Sequence, residues 1–330
     1  MSPKDLYPDL NSSSPALLER SVNAAELMPA SELIEQNPAM AYLVSLGSKK
    51  SRQTMKSFLN IVARINGYAS IETCPWAQLR RHHVQAVLQM LEDLGRAPAT
   101  RNTYLAAIKG VMTEAWIKKQ IDHDTYQQIK LIRTAKGTRL ARGKALAKEE
   151  LQKLFFTCES DSSPKGLRDA AILAVLVGCG LRRSEIVALD LDSIDFKEQC
   201  LKVLGKGDKE RLAFMPPGPQ QRVKRWIDEV RGDYPGPLFP RIRRYGDVTT
   251  ERMSDQAIYY ILDTRRVEAG VDEFAPHDLR RTFASAMLDN KEDIITVRDA
   301  MGHASVTTTQ RYDHRGNDRL REASQRLDVG

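Results

Sequence analysis

A basic, glycine-containing segment near the middle of the chain divides it into two halves. Residues 135–144 contain four Lys/Arg and two Gly, with no regular spacing of apolar residues. This composition is typical of an exposed connection rather than a packed element. Because 330 residues exceed the usual size of one compact domain, we predict two domains joined by a basic linker at 139–145.

Apolar residues recur at every third or fourth position through the first half, which is the spacing of amphipathic helices. The first such stretch follows Ser51 and the third follows Thr100, and we expect each of these residues to be an N-cap. With the stretches at about 82–94 and 124–132, the pattern predicts four helices with short connections. They form a small all-helical domain over 41–138.

Charge is distributed unevenly along the chain. Residues 1–40 carry two Lys/Arg and six Asp/Glu, whereas residues 41–148 carry nineteen Lys/Arg and six Asp/Glu. A block this basic favours a polyanion, since counterions released from phosphates drive association, although charge alone leaves a solvated basic surface equally open. The first 40 residues also lack a sustained apolar pattern, so we expect a weakly ordered acidic arm.

The second half combines helical stretches with two short strands. Helical spacing covers 148–156, 165–189, 222–230, 255–269, 277–290 and 294–301, followed by shorter stretches at 307–312 and 318–327. Residues 200–204 and 211–215 read as strands, and the Gly and Asp residues between them are typical of a hairpin. We therefore predict a mainly α-helical protein whose second domain, over 146–330, is α+β with one small sheet.

Residue content disfavours several classes of protein. No apolar run reaches the ~20 residues that cross a bilayer, and the N-terminus lacks the apolar core of a secretion signal, so we expect a cytoplasmic protein. The four cysteines have neither paired nor metal-ligand spacing, which predicts buried free thiols. Asp190, Asp192 and Asp195 invite a metal site, but their spacing better fits a solvated turn, and we expect no metal.

Six side chains of the second half have the chemistry needed to break a phosphodiester without a metal. They are Arg182, Lys206, His277, Arg280, His303 and Tyr312. Guanidinium groups match the non-bridging phosphate oxygens and stay charged at any relevant pH. His277 and Arg280 are three residues apart on one predicted helix, so they share a face. A lysine in a hairpin can protonate the departing oxygen, and nearby cations favour the nucleophilic phenolate of a tyrosine.

These residues, in this order and spacing, resemble the tyrosine recombinases, also called the phage integrase family. The resemblance runs from about residue 45 to the C-terminus. The motifs that carry it are Gly180-Leu-Arg-Arg-Ser-Glu185, Gly205-Lys-Gly-Asp-Lys-Glu-Arg211, His277-Asp-Leu-Arg-Arg-Thr-Phe283 and Gly302-His-Ala-Ser-Val-Thr-Thr-Thr-Gln-Arg-Tyr312. The layout is similar to that of simple Xer-type members, which implies an N-terminal SAM-like core-binding domain and an α+β tyrosine recombinase catalytic domain.

The resemblance implies a site-specific recombinase that cuts and rejoins DNA through a 3′-phosphate ester on Tyr312. Arg182 and Arg280 would clamp the scissile phosphate, and Lys206 would be the general acid toward the departing 5′-oxygen. Glu185 would brace the site from behind. The bond energy is kept in the ester, so the reaction would need neither ATP nor any other cofactor.

Two histidines and two neighbouring arginines complete the expected site. The resemblance implies that His277 acts in proton transfer and that His303 donates to the phosphate. Arg183 and Arg281 adjoin the clamp residues in the sequence. We expect each of these two arginines to meet a backbone phosphate or an acidic side chain instead.

The resemblance also implies partners. Family members act as tetramers on paired double-stranded DNA sites, with possible accessory DNA-bending proteins, and their C-terminal helix often docks on a neighbouring subunit. Leu320, Ala323 and Leu327 are suited to that docking here. Two other functions remain open: a type IB topoisomerase, and a DNA-binding regulator that keeps the fold without cleavage.

Overall fold

A computed structural model gives the fold of the chain and describes residues 35–137, 143–205, 209–303, 305–306, 309 and 324–325. The chain divides into two compact units, Met1–Leu140 and Ala141–Gly330. Both units are mainly helical, as the sequence predicts, and the second contains two small sheets where one was predicted. In these described ranges, no helix combines the length and the apolarity that crossing a membrane requires.

The described part of the first unit contains five α-helices, four of which surround the fifth. They are α1 (Pro38–Ser45), α2 (Lys49–Ile65), α3 (Arg81–Asp93), α4 (Pro98–Ile117) and α5 (His123–Lys130). Helix α4 packs against each of the other four. Its buried residues include Ile108 and Val111, which are fully buried, and the indole of Trp76 closes the same core at 1% exposure. Burial of this apolar surface is what holds the unit together.

The helix number and two helix starts differ from the prediction. Ser48, not Ser51, caps α2, and the Ser51 N–H donates to the Ser48 hydroxyl at 3.0 Å. Helix α4 begins at Pro98, so Thr100 lies in its first turn; proline suits this position because its missing N–H is not needed there. Helix α1 is additional, is capped by the side chain of Asn37, and is too short for apolar periodicity to reveal.

The second unit has seven α-helices and two antiparallel sheets in its described residues. The helices are α6 (Lys148–Ser160), α7 (Pro164–Cys179), α8 (Arg183–Ala188), α9 (Pro217–Trp226), α10 (Asp255–Glu268), α11 (Pro276–Asp289) and α12 (Ile294–Met301). The strands are β1 (Ile194–Asp195), β2 (Cys200–Leu204), β3 (Glu210–Phe214), β4 (Pro240–Ile242) and β5 (Val248–Arg252). One sheet has the order β1-β2-β3 and the other pairs β4 with β5.

Helix α7 is the centre of the second unit. Most of its residues are buried, and it packs against α6, α9 and α11. Its sequence is rich in Ala, Leu and Val on all sides, which is typical of a helix surrounded by other elements. All four cysteines are buried and free, as predicted. The site described below forms where α7 ends.

The second unit departs from the prediction at three places. Residues 165–189, predicted as one helical stretch, form α7 and α8 with a turn at Gly180 between them. The β4–β5 hairpin and strand β1 were not expected; β5 faces solvent along most of its length, so no apolar alternation marks it. The predicted stretches at 307–312 and 318–327 lie almost wholly outside the described residues.

A buried arginine fixes the segment that supports α8. Arg231 is 1% exposed, and its guanidinium donates to four main-chain carbonyl oxygens at 2.5–3.2 Å. These oxygens belong to Gly232, Tyr234, Gly236 and Pro237. The carbonyl oxygen of Gly236 also accepts the Leu191 N–H, and the Leu238 N–H donates to the carbonyl oxygen of Leu189, both at 2.9 Å. Leu189 and Leu191 come directly after α8. Arg231 therefore organises the chain against which α8 ends.

Replacing Arg231 with Met tests this role. The substitution keeps the bulk of the side chain but removes the donors of several buried carbonyl groups, so we expect the free energy of unfolding to fall by about 3 kcal/mol. Arg225→Met is the control, since Arg225 is 56% exposed and its pair with Glu229 lies at the surface, and we expect a loss of at most about 0.5 kcal/mol. Urea unfolding of both variants measures the difference; equal stabilities would contradict the role.

Candidate active site

The turn between α7 and α8 positions Arg182. Gly180 ends α7 in the left-handed conformation with φ of +61°, and a Cβ atom there would lie 2.3 Å from the ring of Phe283. Glycine is therefore required both by the backbone and by the neighbouring ring. Leu181 then turns into the core, and Arg182 becomes the N-cap of α8 with its side chain 35% exposed.

The carboxylate of Glu185 lies behind Arg182 and binds two arginines. It is 3% exposed; Oε2 accepts the main-chain N–H of Arg182 at 2.8 Å and Oε1 accepts Nη1 of the same residue at 2.5 Å. Oε2 also accepts Nη2 of Arg211 at 2.9 Å. A buried carboxylate is costly unless it is paired and hydrogen-bonded, and here both oxygens are satisfied by cations.

Arg280 lies in α11 and joins the ends of two other helices. It is 1% exposed; its Nη1 donates to the carbonyl oxygen of Gly180, after α7, and its Nη2 donates to that of Met301, the last residue of α12. Both are charge-assisted hydrogen bonds in a buried setting, where they are strong. Arg280 thus holds the segment before Arg182 and the segment before His303 in one place.

His303 follows α12 and has a defined orientation. Gly302 ends the helix with φ of +60°, and its carbonyl oxygen accepts Nη2 of Arg182 at 3.1 Å. The Nδ1 atom of His303 lies 2.9 Å from Oγ1 of Thr309. Burial, and then the positive charges of Arg280 and Arg182, lower the pKa of His303 to about 4. The ring is therefore neutral at physiological pH and carries a single N–H.

His277 lies in the first turn of α11, and its imidazole is affected by the same cations. The residue is exposed, but the protein atoms around its ring desolvate it in part, which lowers its pKa. The positive charges of Arg281, Arg280 and Arg182 act in the same direction, and Asp278 opposes them. The imidazoles of His277 and His303 thus share two cationic neighbours, Arg182 and Arg280.

Four of the six predicted side chains therefore converge from separate parts of the second unit. They are Arg182, His277, Arg280 and His303. The other two, Lys206 and Tyr312, lie outside the described residues. Lys206 lies between β2 and β3 in the sequence. The Gly205 N–H donates to the carbonyl oxygen of Lys209 at 2.8 Å, beyond the paired residues of these two strands.

Sequence reasoning did not assign two residues that contact the site. Arg211 lies on β3 and pairs with Glu185, and Thr309 contacts the ring of His303. The position of Arg211 on β3 could have revealed it. Arg211 lies two residues before the buried Ala213, so both side chains are on the same, inward face of the strand, and a charge on that face needs a partner. Nothing in the sequence distinguishes Thr309 from the two threonines before it.

The neighbouring arginines and the aspartate group have other partners. A side-chain nitrogen of Arg183 lies 3.5 Å from a carboxylate oxygen of Asp255, and one of Arg281 lies 3.4 Å from Asp278. Each arginine therefore meets an acidic side chain, which is one of the two partners predicted for it. Asp190 pairs with a side chain of β5, and Asp195 accepts two main-chain N–H groups of the following turn. Across the part of the chain that is described, no three His, Cys, Asp or Glu residues are arranged to hold a metal ion.

The lowered pKa of His303 predicts how stability changes with pH. The pKa is about 4 in the folded chain and about 6.5 when unfolded, so the unfolded state takes up the proton first as the pH falls. The neutral ring therefore stabilises the fold above pH ~6.5, and this contribution is lost between pH ~6.5 and pH ~4. We expect wild type to lose about 2 kcal/mol more than His303→Gln between pH 7.5 and 5 in urea unfolding. Parallel losses in the two proteins would contradict the assignment.

Comparison with known proteins finds matching domains in both units. The model of the phage integrase family matches residues 144–319, and that of the phage integrase N-terminal SAM-like domain matches residues 41–119. The tyrosine recombinase XerC of Staphylococcus carnosus is 30% identical over 290 residues, which cover 85% of this chain and 93% of the relative. The tyrosine recombinase XerD of Listeria monocytogenes is 27% identical over 245 residues, covering 74% and 81% respectively.

Solved structures share the fold at lower identity. A lambda integrase tetramer bound to a Holliday junction has a TM-score of 0.63 and 17% identity, covering 88% of this chain and 78% of that chain. The XerH site-specific recombinase bound to a palindromic difH substrate has a TM-score of 0.56 and 24% identity, covering 83% and 76%. Both match the mainly helical two-unit architecture described above. With its site motifs, its two matching domains and its full-length relatives, the chain belongs to the phage integrase family of tyrosine recombinases.

Proposed function

We propose that this chain is a site-specific DNA recombinase that cleaves and rejoins strands through a 3′-phosphate ester on Tyr312. The observation that carries the proposal is the convergence of Arg182, Arg280, His277 and His303. Two guanidinium groups and two neutral imidazoles at one place suit the charge that develops on a phosphate under attack. The names of the Xer relatives, which are tyrosine recombinases, support the same reaction.

The proposed step forms one bond to phosphorus and breaks another. The phenol oxygen of Tyr312 attacks the scissile phosphorus, and the bond from phosphorus to the 5′-oxygen breaks. Lys206 gives its proton to the departing oxygen, and the phenol proton passes to His277, whose lowered pKa leaves it neutral and able to accept. The products are a 3′-phosphotyrosine and a free 5′-hydroxyl, and an incoming 5′-hydroxyl reverses the step.

The remaining groups stabilise charge on the phosphate. Arg182, a third exposed, reaches the non-bridging oxygens from the solvent side, and Arg280 adds its charge from beneath the surface. When Thr309 donates to Nδ1 of His303, the proton of the neutral ring is at Nε2, where it can be donated to the phosphate. Glu185 keeps Arg182 in place through the contacts at Oε1 and Oε2.

The chain then acts on DNA as an assembly. We assign 41–138 to core DNA binding, 139–145 to the linker and 146–330 to catalysis, with the acidic residues 1–40 as an arm. The excess of Lys/Arg over 41–148 supports binding of duplex DNA. Membership of the family implies a tetramer on paired sites, in which the C-terminal helix docks on a neighbouring subunit and DNA-bending proteins can assist. The lambda integrase neighbour is a tetramer bound to a Holliday junction. A cytoplasmic location follows from its substrate.

Trapping of a covalent adduct tests the nucleophile. The substrate is a duplex site that the protein selects from random DNA, nicked near the cleavage point. In the presence of EDTA, cleavage should release the short 5′-hydroxyl fragment and leave the protein attached to the DNA. Tyr312→Phe should form no adduct, because it lacks the attacking oxygen. Tyr260→Phe is the matched control, since Tyr260 is 62% exposed in the same unit, and it should react as wild type does. An adduct with Tyr312→Phe would remove the assignment.

A sulfur-substituted substrate tests Lys206 as the general acid. Lys206→Ala should slow cleavage of normal DNA by about 100- to 1,000-fold, because the departing 5′-oxygen then leaves unprotonated. A 5′-bridging phosphorothiolate has a thiolate leaving group that needs no proton, so its cleavage by the same variant should be near the wild-type rate. Arg182→Ala should remain slow on both substrates. If sulfur substitution fails to restore Lys206→Ala, the lysine has another role.

A further inference from the structure

Arg211 occupies an unusual position for a charged residue. It lies on β3, opposite Val203 of β2, and its side chain is only 13% exposed. The residues on either side of it, Glu210 and Leu212, face solvent, whereas Val203 is buried. Burial lowers the pKa of Arg211, which means that the surroundings disfavour its charge. A position that apolar residues usually fill is thus occupied by a guanidinium.

The guanidinium of Arg211 is the second partner of the carboxylate that holds Arg182. Nη2 of Arg211 lies 2.9 Å from Oε2 of Glu185, and Oε1 of Glu185 lies 2.5 Å from Nη1 of Arg182. Oε2 is also the oxygen that accepts the main-chain N–H of Arg182. The orientation of the Glu185 carboxylate therefore depends on both arginines, and a change at one is transmitted to the other.

Arg211 also packs against the turn that precedes His303. A Cβ atom built at Gly302 would lie 2.5 Å from Nε and 2.7 Å from Cδ of Arg211, so the arginine stem occupies the space beside this residue. The carbonyl oxygen of Gly302 accepts Nη2 of Arg182. Arg211 thus contacts both segments that present Arg182 and His303.

This arrangement is costly for the fold. In the described chain, Nε and Nη1 of Arg211 are buried and have no hydrogen-bond partner. A buried N–H without an acceptor destabilises the fold, because it has given up its hydrogen bond to water and gained none in return. Unfavourable local features, such as buried polar groups without a partner, are concentrated at functional sites, where the geometry of the site matters more than stability.

We propose that Arg211 is a positioning residue for the recombination reaction: acting through Glu185 and Gly302, it aligns Arg182 and His303 and links them to the hairpin strand on which it lies. The inference rests on the proposed function and extends it, since in this role Arg211 acts through Glu185 and Gly302 and not on the DNA. The effect belongs to the chemical step and not to DNA affinity.

Single-turnover cleavage of the nicked duplex, combined with DNA affinity, tests the proposal. Arg211→Met should slow cleavage by about 100-fold, the size of effect that a small misplacement of catalytic groups produces, while the Kd for DNA changes by less than about threefold. Arg211→Lys should be intermediate, because it keeps the charge beside Glu185 but not the planar fork. Arg222→Met is the matched control, since Arg222 pairs with Glu159 away from the site, and it should cleave normally.

A double-mutant cycle tests whether Arg211 acts through Glu185. The double variant Arg211→Met, Glu185→Gln should cleave no more than about tenfold slower than Glu185→Gln alone, against about 100-fold for Arg211→Met by itself, because the route through Glu185 is already lost and only the contact with Gly302 remains to be removed. Additive losses would overturn the proposed route. If Arg211→Met does not fold by circular dichroism, Arg211→Lys with Glu185→Gln completes the same cycle.

A measurement without DNA separates this inference from the proposed function. The ring of His303 should titrate at higher pH in Arg211→Met than in wild type, as followed by NMR of labelled histidines, because a neighbouring cation is lost. If wild type forms no adduct, the proposed function fails, and the titration still decides whether Arg211 sets the surroundings of His303. An unchanged titration together with wild-type cleavage by Arg211→Met would overturn the proposal.

Discussion

The carboxylate of Glu185 is the interaction on which the rest of the site depends. It is buried, so its charge must be compensated, and Arg182 and Arg211 compensate it from two different elements. One arginine is directed to the surface, and the other stays beneath the turn that leads to His303. Removing either arginine would leave the carboxylate with fewer hydrogen bonds and with one fewer cation to fix its orientation. The pairing therefore gives a single arrangement of the cations, which a phosphate site requires before DNA arrives.

Helix ends supply the rest of the geometry. Helices α7 and α12 both end in a left-handed glycine, and the carbonyl oxygens of Gly180 and Met301 at these ends accept the two terminal nitrogens of Arg280. Carbonyl groups at a helix C-terminus carry partial negative charge, which favours a cation there. Arg280 consequently acts on the fold and on the site together, because its positive charge adds to burial in lowering the pKa of the imidazoles of His277 and His303.

How much of this could be predicted from the sequence depended on the range of each interaction. Local patterns predicted the two-part architecture, the main helices and the β2–β3 hairpin. The sequence motifs predicted that Arg182, His277, Arg280 and His303 belong to one site. The break at Gly180 was missed because the apolar pattern continues past it, and Ser48 competes with Ser51 for the same cap. The pairing of Arg211 with Glu185 joins residues 26 positions apart, and no local pattern encodes such a contact. The predicted roles of all six site residues stay predictions, and Lys206 and Tyr312 lie outside the described residues.

The central claim is that the phosphate of the cut strand is transferred to one phenol oxygen. Mass spectrometry of the trapped adduct measures this directly, after nuclease trimming of the DNA and tryptic digestion of the protein. Trypsin cuts after Arg311 and Arg315, so the peptide 312–315 contains one tyrosine. We expect a nucleotide joined through its 3′-phosphate to Tyr312 in that peptide. The same mass on another residue, or a cut strand without attached protein, would contradict the account.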